Sequence, residues 1–595
     1  MTTWQQLRDL KISEYEDAAD GWGDVSRRSD AARVRVDQEM SIPVRSTQKG
    51  KTPDAAVGRL NRLRDNYQYL HSECGLIRTT LNALAKDLHA PQRKLHQALE
   101  DAESLGFTVN PDGSVTYPNP VPLVSGNDKA TPGSQLPFLP GKGEGQGNEN
   151  KGKAEDIAER ISTAVNDAAE IDARYASVLR RLKAPAGLSV TKEMLADSGK
   201  DLRAAQKTTG GLLDKSDIPH GKSPAENKRW WDHLTQEQRD EYTTLYPAEV
   251  GALDGIPSIA RDTSNRMVLA QTMAQTQIEL DALPANPPQY VQKGDPPSSV
   301  VNPAWQKWVR LTDDQKGMEA IQARLDESGM PGQGSKGGST SGLPQAYLLG
   351  FDTQGDGRAI VATGNPDTAD NTAVYVPGTG ASLANAHGDI NRMSELWRAA
   401  NQQSPGQSTS TITWIGYDAP DNVVPNATAR HYAYDGAPAL NTFMDGLQTA
   451  QGGPESSHTT LVGHSYGSTT IGAAAKEDGN LAADDVVVAG SPGMLVSDAS
   501  ELEVGSDHVW SEAASNDPVP AMGQEALGGR KFGVNTWNGV PYSLGPIISI
   551  PSDESFGAHR MDVDTSGHSG YWDADSVSLN NQAAVVVGKY GDVKE

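Results

Sequence analysis

Three side chains far apart in the chain have the types and the order that acyl-transfer chemistry needs: Ser465, Asp517 and His568. Ser465 is the centre of Gly463-His464-Ser465-Tyr466-Gly467, a G-x-S-x-G pattern. The β-branched, apolar run Thr459-Thr460-Leu461-Val462 precedes it and suits a buried strand. The run of small residues from Ser468 to Lys476 follows it and suits a closely packed helix. Strand, sharp turn and helix are the context in which such a serine is presented as a nucleophile. The flanking glycines let strand and helix pass close to each other. A serine hydroxyl is a weak nucleophile near neutral pH, so it needs a base, an acid and donors for the oxygen that becomes negative.

The remaining parts are sought at other strand ends. Ser515 to Pro520 (SNDPVP) follows the strand-like run His508–Ala513 and offers Asp517, with Pro518 stiffening the turn. Ser566 to Trp572 (SGHSGYW) offers His568 near the C-terminus. His568 would take the serine proton, and Asp517 would orient the imidazole and stabilise its charged form. For the base, His559 and His464 compete, although an elbow turn points the residue before the serine away from it. For the acid, Asp507, Asp484 and Asp485 compete, while Asp418 precedes the serine and falls outside the usual order. The expected oxyanion donors are the Tyr466 N–H and one from the turn Gly378-Thr379-Gly380, with Thr379 favoured over Gly380.

These turns have to be held by a scaffold, and the pattern from residue 343 onward supplies one. Gln345–Phe351 and Arg358–Ala362 form a hairpin across 352–357. Thr372–Val376, Thr411–Ile415, the elbow strand, Val486–Gly490 and His508–Ala513 then alternate with helices centred near Leu396 and Phe443. Alternation of this kind predicts a parallel sheet covered on both faces, with the ligand at the carboxyl ends of its strands. Residues 521–560, with Phe532, Trp537, Tyr542, Ile547 and Ile548, are the expected substrate-covering insertion.

Upstream, residues 1–117 read as helices carrying apolar stripes (Leu7, Leu10, Leu81, Leu84, Leu88, Leu95 and others) with a small hairpin, Phe107–Val109 to Val115–Tyr117. Such stripes usually form a bundle's own core, and the alternative is pairing with another helical protein as a coiled coil. Residues 118–153 read as a flexible linker, 154–330 as a helical middle region starting near Ala154, and 331–342 as a Gly/Ser linker. Within the middle region, Pro247 to Pro257 and then Arg261-Asp262 and Asn265-Arg266 form either a specific surface feature or a helix start with solvated arginines.

The 595 residues suit two or three domains, and 60 glycines and 36 prolines require long loops. The net charge is −25. It is concentrated from residue 345 onward, where 30 acidic side chains face 10 basic ones. That balance argues against nucleic acid as a partner. A single cysteine, Cys74, excludes an intramolecular disulfide and a cysteine-rich metal site. No apolar run reaches membrane-spanning length, and the polar start lacks an apolar signal core. The expectation is therefore a cytoplasmic protein, with non-classical export as the alternative, that uses no cofactor and no metal.

With these residues in place, the chain from about 230 to 575 resembles the lipase- and esterase-like α/β-hydrolase domain of uncharacterised function common in actinobacterial proteins. The resemblance is carried by WW…LDGIPSIARDTSNR, VYVPGTG, TWIGYDAP, TLVGHSYGS, VVAGSPG, SNDPVP and SGHSGYW. It implies an α/β-hydrolase fold over 343–595, a mostly parallel sheet covered by helices and preceded by a mainly helical N-terminal region. It also implies a Ser465–His568–Asp517 triad in a serine hydrolase acting on small-molecule or lipid esters. The N-terminal region is similar in kind to the helical hairpins of type VII secretion substrates, with Tyr69 to Glu73 fitting a Y-x-x-x-[DE] pattern. Trp22-Gly23 departs from the spaced Trp-x-Gly of those domains. Two other readings are an exported effector with a hydrolase domain and a non-catalytic scaffold that keeps the fold for partner binding.

Overall fold

The computed structural model describes residues 3–47, 51–118, 144–184, 187–210, 212–294, 298–327, 342–422, 426–477, 481–537 and 540–595. Two compact units share the chain: one holds 1–26, 73–186 and 200–214, the other 27–72, 187–199 and 215–595. The first is built from long helices, including the C-terminal half of Lys51–Ser104 and Glu144–Arg181. Its core joins Leu7, Leu84, Leu88 and Leu95 to Ile157, Ile161 and Tyr175, so the stripes are satisfied within the unit. The small hairpin forms as expected, Thr108–Val109 against Val115–Thr116. The second long helix begins at Glu144, ahead of the Ala154 start expected. Most of the two expected linkers, at 119–143 and 328–341, lies outside the described residues.

The second unit carries an eight-stranded sheet. Its strands are β1 (Ala346–Asp352), β2 (Arg358–Thr363), β3 (Asn371–Val376), β4 (Thr409–Ile415), β5 (His458–His464), β6 (Asp485–Ala489), β7 (Val509–Glu512) and β8 (His559–Arg560). Across the sheet the order is β8-β7-β6-β5-β3-β4-β2-β1, parallel throughout except for β2, which runs antiparallel to both neighbours. Successive side chains of a strand point to opposite faces. Val374, Leu461, Val486 and Val488 enter one apolar layer, with Leu440 and Phe443 from the helix His431–Gln451. Tyr375, Val462, Val487 and Ala489 enter the other, with Met393 and Leu396 from the helix Ala386–Gln403. Burial on both faces is why these strands read as unbroken apolar runs.

The segment around Arg261 is buried, which overturns both the surface-feature and the solvated-arginine readings. On helix α1 (Ser258–Asp281), Asp262 is fully buried and accepts the Leu348 N–H (2.7 Å). Asn265 donates to the Leu348 carbonyl (3.0 Å), and Arg266 donates to the Ala346 carbonyl (2.8 Å) while pairing with Asp262. β1 is an edge strand, and an edge exposes unpaired backbone groups that invite aggregation. Three side chains of α1 occupy those groups, so the motif serves the sheet rather than the surface. The middle region, expected to be helical, also contains a hairpin, Tyr290–Lys293 with Ser298–Val301.

The expected covering insertion is an antiparallel ribbon, Gly529–Trp537 with Val540–Ser549. Phe532 is exposed there, and the side chains of Trp537 and Tyr542 lie outside the described residues. Among the described residues, no helix is long and apolar enough to cross a membrane.

Candidate functional site

The turn after β5 is built around Ser465. Its backbone has φ 53° and ψ −128°, a left-handed conformation that a non-glycine residue adopts only when its surroundings enforce it. The enforcement is visible. The Ser465 N–H donates to the Ala489 carbonyl (3.0 Å), and the Ser468 hydroxyl donates to the Ser465 carbonyl (2.6 Å). A side chain at Gly463 would strike the Ser468 backbone, and one at Gly467 would strike the Val376 carbonyl. Helix α2 (Tyr466–Ala475) starts at once.

The turn after β3 lies against this elbow. A Cβ on Gly378 would fall 2.7 Å from Ser465 Cβ and 2.8 Å from the Tyr466 nitrogen. Tyr417 donates to the Pro377 carbonyl (2.8 Å), and Asn385 donates to the Gly380 carbonyl (2.9 Å). The Gly380 N–H is already given to the Pro420 carbonyl (2.8 Å), which removes it from the donors expected in this turn. Among the described residues the N–H groups of Thr379 and Tyr466 have no protein acceptor.

Asp517 and His568 are brought together. His568 Nδ1 lies 2.8 Å from Asp517 Oδ2, which also accepts from the Tyr571 hydroxyl (2.7 Å), while Oδ1 accepts the Val519 N–H (2.9 Å). Burial alone would raise the Asp517 pKa; the bonds from His568, Tyr571 and Val519 outweigh it, and the net shift is downward. Asp517 therefore stays ionised and fixes the tautomer in which His568 Nε2 carries the free lone pair. Asn516 ties the two loops by accepting the Gly567 N–H (2.8 Å). Among the described residues, no hydrogen bond joins Ser465 Oγ to His568. Both side chains line one cavity of about 500 Å³, which also takes in Thr379, Tyr466 and Arg392.

His464, weighed above as a rival base, and two residues not singled out there, Gly490 and Tyr571, complete the geometry. His464 does not face away into filler: its ring sits 4.7 Å from that of His568, and its Nε2–H donates to the His568 carbonyl (2.8 Å). Burial, helped by the charge of Arg392, drives the His464 pKa well below the ordinary imidazole range, so it remains neutral. Gly490, after β6, has φ 60°, and a Cβ there would lie 2.7 Å from Asp517 Oδ2 and 3.0 Å from His568. Tyr571 stands three residues after His568 in SGHSGYW, a spacing that could have suggested a shared partner.

Apart from His464, the rival residues Asp484, Asp485 and His559 are elsewhere. Asp485 starts β6 and binds His458 (2.7 Å), His508 (3.0 Å), Trp510 (3.1 Å) and Tyr590 (2.8 Å). His458 is the first residue of β5, a strand length of about 20 Å from the Ser465 turn. Asp484 accepts the Thr459 N–H (2.7 Å). His559 stacks on Trp510 at 4.3 Å and pairs with Glu595. None of these lines the cavity. Among the described residues no group of three or more His, Cys, Asp or Glu side chains is arranged to hold a metal ion.

Comparison with known proteins agrees with this architecture. A family model described as alpha/beta hydrolase matches residues 352–526, a stretch that includes Ser465 and Asp517 and stops before His568. The uncharacterized protein Rv0963c of Mycobacterium tuberculosis is 31% identical over 216 residues, 32% of this chain and 79% of the relative. The chain belongs to the alpha/beta hydrolase family. A second relative of this alpha/beta hydrolase, the uncharacterized protein Rv2079 of Mycobacterium tuberculosis, is 30% identical over 400 residues. That match covers 63% of this chain, which thus spans 57% of the relative's length. Among solved structures, esterase LipW from Mycobacterium marinum is 11% identical, covering 49% of this chain and 93% of that one. Its TM-score of 0.27 is too low to carry a conclusion.

Proposed function

We propose that this alpha/beta hydrolase is a serine hydrolase that cleaves a carboxylic ester through an acyl-enzyme. The observation that supports the reading most is the Asp517–His568 hydrogen bond at the rim of the cavity that Ser465 lines. In the proposed reaction His568 Nε2 accepts the Ser465 proton as Oγ attacks the ester carbonyl. The negative oxygen is met by the N–H groups of Thr379 and Tyr466, a contribution of about 3–4 kcal/mol for one such donor. His568, now an imidazolium stabilised by Asp517, returns its proton to the departing alcohol. Water then repeats the sequence on the acyl-enzyme. Hydrogen bonds between such a serine and its base are often long in a substrate-free site and shorten when substrate binds.

The test is covalent labelling by a fluorophosphonate. The wild-type chain is expected to form one adduct, at Ser465, and Ser465→Ala none. A folded wild-type protein that resists the reagent would refute the serine hydrolase reading and favour a scaffold without catalysis.

A further inference from the structure

The cavity has one wall of apolar side chains (Ala427, Pro492, Val519, Met522) and, in the same space, a guanidinium. Arg392, on the helix Ala386–Gln403, is held on one side only. Its Nη1 donates to Asp389 Oδ1 (2.7 Å) and to the Tyr375 hydroxyl (2.9 Å), and its guanidinium carbon lies 5.3 Å from the centre of the Trp572 ring. Among the described residues, Nε and Nη2 of Arg392 have no acceptor, and neither is a buried orphan. The side chain is 24% exposed. Arg392 is thus a locked fork with one edge open, in the cavity that Ser465 and His568 line.

An open guanidinium edge matches two coplanar oxygens and is a poor neighbour for an alkyl chain. Asp389 already balances the charge, so the edge offers directed donors rather than a strong positive field. That favours a monoanion over a doubly charged phosphate, which the nearby Asp389 carboxylate would repel. The surrounding region is acidic, and a cation kept in this cavity needs a reason other than attraction of the ligand from afar.

Resting on the serine hydrolase reading, we infer that the substrate is an ester bearing a second group, a carboxylate, which docks on the open edge of Arg392 while its alkyl part lies on the apolar wall. Arg392 is then the residue that sets specificity. A competing role is mechanical. Trp572 packs edge-on against His464 at 5.1 Å, and His464 holds the His568 carbonyl, so Arg392 could act only by propping the base. The two roles differ in what they do to a neutral ester.

The experiment compares two matched pairs of esters: the 4-nitrophenyl monoester of adipic acid with 4-nitrophenyl hexanoate, and the hexanoyl ester of 3-hydroxybenzoate with phenyl hexanoate. The first pair places the carboxylate on the acyl side, the second on the alcohol side. In one of them the wild type is expected to prefer the charged ester by about ten- to hundred-fold in kcat/KM, mainly through KM. Arg392→Gln is expected to erase that preference and leave the neutral ester within about threefold. Equal loss on charged and neutral esters, or no preference in either pair, overturns the inference. A binding arm keeps it separate from the catalytic reading: monomethyl adipate, for an acyl-side carboxylate, and the hexanoyl ester of 3-hydroxybenzoate, for an alcohol-side one, are titrated calorimetrically into Ser465→Ala and into Ser465→Ala/Arg392→Gln. Binding to the first that the second weakens at least tenfold supports the carboxylate site even if the wild type fails to label. No difference between the two variants with either probe sinks it even if labelling succeeds.

Discussion

Replacing Gly490 by alanine puts a methyl group between the two residues that must drive Ser465. The backbone there has φ 60°, and the new Cβ would stand 2.7 Å from Asp517 Oδ2 and 3.0 Å from His568 Nδ1, where ordinary contact begins near 3.4 Å. Two costs follow. The left-handed backbone costs an alanine about 1–2 kcal/mol. The clash pushes carboxylate and imidazole back by several tenths of an ångström, and displacement of that order in an aligned site costs up to about 10²-fold in rate. Gly588→Ala separates them. Its φ is 67°, and nothing lies within 4 Å of the added carbon, so it bears the backbone cost alone. The assay is the rate of fluorophosphonate labelling and the kcat for a short 4-nitrophenyl ester, alongside a thermal melt. Gly588→Ala should lose a few degrees in melting temperature, about 2–4 °C per kcal/mol for a domain of 150–250 residues, and Gly490→Ala more, because it bears the clash as well. Only Gly490→Ala should lose labelling and turnover, by about 10²-fold. If Gly490→Ala is folded and labels within threefold of wild type, the Asp517–His568 pair does not activate Ser465.

Two further outcomes are expected. His568→Ala should abolish ester turnover by about 10³-fold or more, whereas His559→Ala, whose ring stacks on Trp510 away from the cavity, should retain it; the reverse result in a hydrolysis assay would move the base. Glu512 is buried, and burial raises its carboxyl pKa to about 8, against which the bonds from Ser578 and Gln582 work. The folded state thus holds a proton that the unfolded chain releases from about pH 4.5, so wild-type stability falls as pH rises toward about 8, by up to about 1.4 kcal/mol per pH unit. Glu512→Gln should match wild type in acid and melt higher than it at pH 8; equal melting temperatures at pH 8 would show that Glu512 is ionised in the folded protein.

Much of the site could be read without coordinates because each of its parts sits where a periodic strand ends. Apolar runs of fixed length followed by turn residues mark a strand's carboxyl end, so Ser465, Asp517 and the 378–380 turn could be assigned to one rim from local pattern alone. The same reasoning placed the hairpin of β1 and β2 and the helical stripes that the first unit buries. It favoured Thr379 over Gly380, but the reason lies outside local pattern: the Gly380 N–H is given to the Pro420 carbonyl, forty residues on and on another loop. It also left Asn265 and Arg266 of α1 open, because they bond backbone carbonyls of β1 some eighty residues away.

Sequence by itself determined which side chains were available for chemistry and roughly which strand each one follows, since spacing, turn residues and apolar periodicity act locally. Only the tertiary structure decided what surrounds them: the lack of room for a methyl group at Gly490, the packing of His464 against His568, the sharing of Asp517 by Tyr571, and the half-locked Arg392. Each depends on atoms from different strands and helices approaching within about 3–5 Å, and short-range pattern holds no record of such distances. Contact across a sheet is set by how whole elements pack.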